Sequence, residues 1–168
     1  MLELSGEVAD GVITHGIARS HLEFARSRLE EGTRSAGRSV GACRLFLMFD
    51  YEYDNDRDAA LDRVRERCTF MIGGSYAAEL IPVYGLDPGE VLPIRAAVGR
   101  RDYETANRLM THEMIEAFAV GGPEAFLEQR LGDLAATGVE GVILSLGGKS
   151  VEDSIARIRR AGRVVAGA

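Results

Sequence analysis

Gly141-Val142-Ile143-Leu144-Ser145-Leu146-Gly147-Gly148-Lys149-Ser150 is the stretch that decides the fold. A short apolar run meets a glycine pair, and Ser150 with Asp153 three residues on then opens a helical pattern carrying Val151, Ile155 and Ile158. Strand, glycine-rich turn and helix in that order is the repeating unit of parallel α/β folds. Two further runs of the same kind lie upstream, Gly11-Val12-Ile13-Thr14 and Arg44-Leu45-Phe46-Leu47-Met48-Phe49. Their hydrophobicity is continuous rather than alternating, the habit of strands covered on both faces in a parallel sheet. The fold class is therefore α/β with about three parallel strands.

Helices fit between and after these strands. Ser20 and Glu23 form a capping-box pattern, followed by Leu22, Ala25 and Leu29 at helical spacing until the pattern loosens at Gly32. From Asp56 a long helix places Leu61, Val64, Cys68, Met71 and Ile72 on one face and charges on the other. Pro123 stands at a first helical position, after which Leu127, Leu131, Leu134 and Ala135 form a stripe that Gly138 ends. Residues 81–118 break the rhythm, because Pro82, Gly85, Pro88, Gly89, Pro93 and Gly99 leave room only for short helices. This stretch reads as a helical insertion within a single domain spanning 1–168.

Length and composition narrow the function classes. The chain has 168 residues, a formal charge of -6 and 46% hydrophobic residues, the mix of a folded domain with a core of its own. No basic cluster is interleaved with aromatics, so a nucleic-acid surface has no support. No apolar run reaches membrane-span length, and Met1–Glu7 has neither a basic start nor an apolar signal stretch; the expectation is a cytoplasmic protein. Cys43 and Cys68 lack CxxC spacing, which predicts free buried thiols. His15, His21 and His112 are too scattered for a local ligand set, so no metal site is expected.

Candidate functional residues follow from position, since barrel chemistry sits at the C-terminal ends of strands. After the third run, Gly147 and Gly148 permit close backbone approach, while Lys149 and Ser150 at a helix start suit an anionic oxygen. The alternative is a tight turn with Ser150 capping the helix. A Walker loop is excluded, because the position five before Gly148 is Ile143 rather than glycine. After the first run come Thr14, His15 and Gly16, where His15 either donates to a cofactor and moves a proton or is a half-exposed loop residue. After the second run, Asp50-Tyr51-Glu52-Tyr53-Asp54 offers Tyr51 for stacking and Glu52 for accepting a proton; the alternative is a solvated acidic loop before a helix N-terminus. His112, Glu113 and Glu116 read as surface.

Ala9-Asp10-Gly11-Val12-Ile13-Thr14-His15-Gly16, with the helix ending Glu31 to Arg38, resembles the sixth strand and helix of luciferase-like flavin- or deazaflavin-dependent oxidoreductases. Glu113 to Glu124 and Ala136 to Leu144 resemble the stretch leading to that family's last barrel strand, and the methylenetetrahydromethanopterin reductases are the nearest branch. The resemblance covers nearly the whole chain yet only the C-terminal half of the family's barrel, so it implies a partial (β/α)8 TIM barrel with a helical insertion. It implies an oxidoreductase that moves hydride between coenzyme F420, or alternatively FMN, and a small organic substrate such as a methylene-tetrahydropterin. Catalytic roles would fall to Glu52 and His15, and cofactor contacts to Thr14, Gly16, Tyr51, Gly147, Gly148, Lys149 and Ser150. A three-stranded sheet also leaves an unpaired edge and one face uncovered, to be covered by a second copy, another chain or the inserted helices; the expected assembly is a homodimer or a complex with a chain supplying the complementary N-terminal half. Two other readings stay open: a non-catalytic half-barrel binding or scaffolding module, and a small α/β domain holding simple phosphorylated ligands at Gly147–Ser150.

Overall fold

A computed structural model describes residues 1–74 and 81–167. In chain order the elements are α1 (Leu2–Val8), β1 (Gly11–His15), α2 (Arg19–Ser35), β2 (Arg44–Glu52) and α3 (Arg57–Gly73). A 3-10 turn (Pro82–Tyr84) then leads to α4 (Pro88–Gly99), α5 (Tyr103–Leu109), α6 (His112–Glu116), β3 (Ala119–Gly121), α7 (Glu124–Ala135), β4 (Gly141–Ser145) and α8 (Val151–Gly167). The three expected strands form, all parallel, and β3 is added to them. The chain is thus an α/β sheet-and-helix unit, part of a barrel.

β2 is the hub of the sheet. β1 pairs with its residues 44–48 and β4 with 46–50, so the overlapping registers put β1 and β4 on opposite edges. β3 pairs with residues 50–52, beyond the end of β1. The Ile17 N–H donates to the Ala117 carbonyl at 2.8 Å, which ties the approach to β3 onto the chain leaving β1. The sheet is consequently three strands wide, with β3 prolonging the β1 edge.

Side chains alternate across a strand, and the two faces of β2 meet different partners. Leu45, Leu47, Phe49 and Tyr51 point into a core built with Leu22, Ala25 and Leu29 of α2, Leu127 and Leu134 of α7, and Ala161 of α8. A second core joins Leu61, Val64 and Cys68 of α3 to Val91 and Ile94 of α4, Ala106 of α5 and Ile115 of α6. α3 packs with α4–α6 as a helical cap, not with α2, α7 and α8. Cys43 and Cys68 are free and buried.

Local sequence signals explain most element ends. Asp56 caps α3 by accepting from the N–H groups of Asp58 and Ala59, Asp87 caps α4, Asp102 caps α5 and Thr111 caps α6. The capping box expected at Ser20 does not form; α2 starts after Ala18 with no side-chain cap. Gly32 does not loosen α2, which runs on to Ser35. A Cβ at Gly32 would lie 1.9 Å from the Glu3 carbonyl oxygen, and one at Gly6 would lie 2.2 Å from that of Leu29. These two glycines let α1 cross α2 at backbone contact. No helix among the described residues is long and apolar enough to cross a membrane.

Candidate active site at the C-terminal mouth of the sheet

Register places three rows of side chains on the face of the sheet opposite α2, α7 and α8. Ile13, Phe46 and Gly141 form the first row, His15, Met48 and Ile143 the second, and Asp50 with Ser145 the third, nearest the strands' C-terminal ends. His15 is half-buried at the end of β1. His15 and Gly147 thus come from the ends of two strands that flank β2, on whose end Glu52 sits.

Asp50, Tyr51 and Glu52 of the acidic stretch after Phe49 are neither loop nor solvated, while Tyr53 and Asp54 lie beyond the strand and are partly exposed. β2 continues through Glu52, and Asp50, Tyr51 and Glu52 are all buried. Their charges are met by arginines from two helices. Arg157 of α8 donates to Glu52 Oε2 at 2.6 Å, and Arg63 of α3 approaches Oε1 at 3.5 Å. Arg67 of α3 lies 3.1 Å from Asp50 Oδ1, an oxygen without a well-aligned hydrogen bond among the described residues. Burying carboxylates against guanidinium groups keeps their desolvation cost from standing uncompensated. Arg63 also binds Asp54, whose carboxyl is held below its ordinary range first by that hydrogen bond and then by the Asp56 N–H. Glu52 is thus engaged by two cations, and its place in the structure is that of a tie between β2, α3 and α8.

Tyr51 turns the other way. Its ring is in the core under α7, its hydroxyl donates to the Gly122 carbonyl at 3.3 Å, and burial pushes its pKa up to about 12. A ring enclosed like this offers no free face, which corrects the stacking role expected of it. Thr14, in register with Leu47 and Val142, also faces the helices; its Oγ1 is buried without a hydrogen-bond partner among the described residues. Gly16 has a packing reason of its own. With φ at +103° it turns the chain, and a Cβ there would come within 2.7 Å of the Tyr84 ring. Tyr84 in turn stacks on the buried His21 of α2, ring centroids 4.6 Å apart, joining the cap to the sheet layer.

The loop after β4 resolves into the helix-capping arrangement. Ser150 Oγ accepts from the Asp153 N–H at 3.2 Å, and the Asp153 carboxylate accepts from the Lys149 N–H at 3.0 Å. This is a reciprocal cap, so two of the donors that an anion would use are already engaged. Gly147 remains open toward the mouth, where a Cβ would touch only Arg67 and Glu52 side-chain atoms at 3.6 Å and 3.8 Å. Gly148 is needed for another reason, since a Cβ there would meet Ser154 Oγ at 2.1 Å. Lys149 is exposed.

Sequence reasoning missed the arginines. Arg63 and Arg67 are one helical turn apart on α3 and Arg157 is 105 residues from Glu52, so only an i, i+4 pair was visible in the sequence. It also missed a groove of about 510 Å³ beside Arg67, bounded by Phe70 and Met71 of α3 and by Tyr103 and Asn107 of α5. His112, read as surface, bridges Asp58 and Asp62 of α3 at 3.2 Å and 3.0 Å. Among the described residues no three His, Cys, Asp or Glu side chains gather as a metal site.

A parallel strand–helix sheet with its polar groups gathered at the C-terminal ends of the strands defines a barrel-type α/β scaffold. The chain belongs to the luciferase-like monooxygenase family, which it matches over residues 1–141. It is 30% identical over 144 residues to 5,10-methylenetetrahydromethanopterin reductase from Methanopyrus kandleri, covering 86% of this chain and 41% of that protein. The reductase of the same name from Archaeoglobus fulgidus is 27% identical over 147 residues, covering 85% and 44%. The structure of the coenzyme F420-dependent tetrahydromethanopterin reductase from Methanopyrus kandleri superposes with a TM-score of 0.75 at 28% identity, over 94% of this chain and 46% of that one. An F420-dependent secondary alcohol dehydrogenase shares the fold at 19% identity and a TM-score of 0.65. The chain spans less than half the length of these relatives.

Proposed function

We propose that this chain forms one wall of the active site of an F420-dependent oxidoreductase that acts on a small organic substrate such as a methylene-tetrahydropterin. The observation that supports this most is the mouth geometry: an apolar row carrying His15, Met48 and Ile143 beneath open backbone at Gly147, in a chain whose relatives are methylenetetrahydromethanopterin reductases. The residues present fit a planar ring system with an anionic tail along one side. Met48 and Ile143 give an apolar seat, His15 a polar contact at its edge, and Lys149 an exposed cation beyond the loop. FMN is the second cofactor this wall would suit.

When bound, a deazaflavin supplies a carbon that carries hydride, so the protein mainly has to hold two reactants face to face and exclude water. In this reading His15 hydrogen-bonds the bound ring or moves a proton at its edge. Glu52 is a positioning residue: by tying Arg157 and Arg63 to β2 it fixes α8 and α3 around the mouth. Gly147 leaves space for close approach, while Gly16, Tyr51 and Thr14 shape the wall from behind. Gly148, Lys149 and Ser150 hold the loop, with Lys149 attracting the anionic tail.

Fluorescence titration of the purified chain with F420, and separately with FMN, tests the reading. Saturable binding at micromolar F420 is the expected result, with Lys149→Ala weakening it by about 1 to 3 kcal/mol through loss of a charged contact and His15→Ala weakening it as well. Folded protein that binds neither compound would support the non-catalytic module instead.

A further inference from the structure

We propose that a cavity between the cap and α7 binds a small zwitterion of the α-amino-acid class, and that the bound molecule fastens the cap to the sheet layer. The cavity shares no residue with the mouth, so the proposal stands apart from the cofactor reading above.

The cavity has about 190 Å³ of free space and is lined on one side by β3. Its other walls come from both layers: Arg57 at the start of α3 and Glu116 at the end of α6 belong to the cap, and Phe126, Gln129, Arg130 and Asp133 belong to α7. Arg57 pairs with Glu116, and its guanidinium carbon lies 5.0 Å from the centre of the Phe126 ring. Its Nε–H is nevertheless buried with no acceptor among the described residues. A buried donor left in that state costs stability, which an acceptor entering the cavity would recover. Arg130, half-buried, and Asp133, exposed, stand one helical turn apart on α7, and neither has an ion pair or hydrogen bond with any described residue. The neighbouring hollow between α2 and α7, which shares Asp133, differs on this point. Its two arginines are already engaged, Arg19 by Glu23 at 3.0 Å and Arg26 by the Thr137 carbonyl at 2.7 Å.

Charge balance chooses the ligand. With Arg57 and Glu116 neutralising one another, the groups left to recognise a ligand are the Arg57 Nε–H, the Arg130 guanidinium and the Asp133 carboxylate. A simple anion would take the two donors and set its charge against Asp133, and a simple cation would meet Arg130. A molecule carrying both charges a few bonds apart opposes neither: its carboxylate accepts from Arg57 and Arg130, and its ammonium donates to Asp133. Volume sets the size. A water takes up about 30 Å³ in the liquid, so the space suits an α-amino acid with a short side chain whose apolar part rests on Phe126. Such a molecule touches Arg57 of α3 and the charged pair of α7 at once, and so bridges two cores that are packed separately.

Calorimetric titration of the cofactor-free chain with L-alanine, L-serine, L-threonine and L-valine tests the proposal. Saturable one-to-one binding of at least one of them is expected, at least tenfold tighter than that of its carboxamide, which lacks the carboxylate, and of its deaminated acid, which lacks the ammonium. Arg130→Met and Asp133→Asn should each weaken that binding at least tenfold while keeping the melting temperature of the free chain, since neither side chain holds another. The bound amino acid should slow amide exchange in α3, α6 and α7 together. If a variant fails to fold, the ligand series and the exchange map on the parent chain decide. No binding up to millimolar concentration, equal binding of the carboxamide or the acid, an affinity indifferent to both variants, or protection confined to other elements each overturns the proposal. Because F420 is absent throughout, failure here leaves the oxidoreductase reading to its own titration.

Discussion

Two residues at the junction of sheet and cap show how much rests on single positions. Gly16 combines a backbone angle that L side chains rarely adopt with a Tyr84 ring 2.7 Å from where a Cβ would stand. Gly16→Ala should therefore destabilise the fold by about 2 to 3 kcal/mol, and a urea midpoint equal to that of the parent would refute this account. His21, on the other side of Tyr84, is buried with neither ring nitrogen hydrogen-bonded among the described residues, and burial lowers its pKa from 6.5 to about 4. The folded state thus favours the neutral ring, and the unfolded chain binds the extra proton first as pH falls. Stability from this group is full above about pH 6.5 and is lost progressively down to about pH 4; a shift of this size corresponds to about 3 kcal/mol. Thermal unfolding measured from pH 7 to pH 4 should show the decline, and His21→Phe should flatten it while keeping the stack.

At the scale of elements, contacts between segments matter more than the propensity of each. Because Gly6 and Gly32 let α1 and α2 meet backbone to backbone, Gly32→Ala should improve α2 on its own and still weaken the protein, by about 1 to 3 kcal/mol. Faster amide exchange confined to α1 and the middle of α2 is the matching signature; unchanged exchange would mean that the helices can separate freely. Arg157→Ala would leave Glu52 with Arg63 at 3.5 Å as its remaining cation. A cost of about 2 to 3 kcal/mol is expected in a denaturant titration, toward the low end for a broken buried pair because Arg63 stays. The same elements show what the sequence could convey. Three strands and the helices after them were legible, since apolar runs and turn glycines are local signals. β3 was not, because Ala119-Val120-Gly121 is too short to have a period. Nor was the burial of Asp50 and Glu52: dense acid reads as solvated, and the guanidinium that neutralises Glu52 most closely comes from the far end of the chain. Gly32 misled for a related reason, as a glycine that stops a helix and one that admits a neighbour look alike.

At the scale of the molecule, one chain carries two cores, of which β2 lines only the sheet-layer one. The apolar stripe of α3 gave no hint of this, because Leu61, Val64 and Cys68 would look the same whichever layer they covered. Joined among the described residues through β3, the Ile17–Ala117 hydrogen bond, the Tyr84 stack on His21 and the arginine ties to Asp50 and Glu52, the cap should be able to loosen while the sheet layer holds. Ile94 is wholly buried in the cap core and Leu47 wholly buried beneath α2 and α7. Each truncation to alanine should cost about 3 kcal/mol from lost burial and the cavity left behind. Their effects on native-state exchange should nevertheless differ, because local opening follows contiguous packed units. Ile94→Ala should release amides in α3 to α6 and spare those of β1, β2 and α2, whereas Leu47→Ala should release the sheet layer and, because β3 and Asp50 anchor the cap to it, the cap as well. Equal loss of protection everywhere in both variants would mean a single cooperative core, and the two-layer account of how the mouth is held would then be wrong.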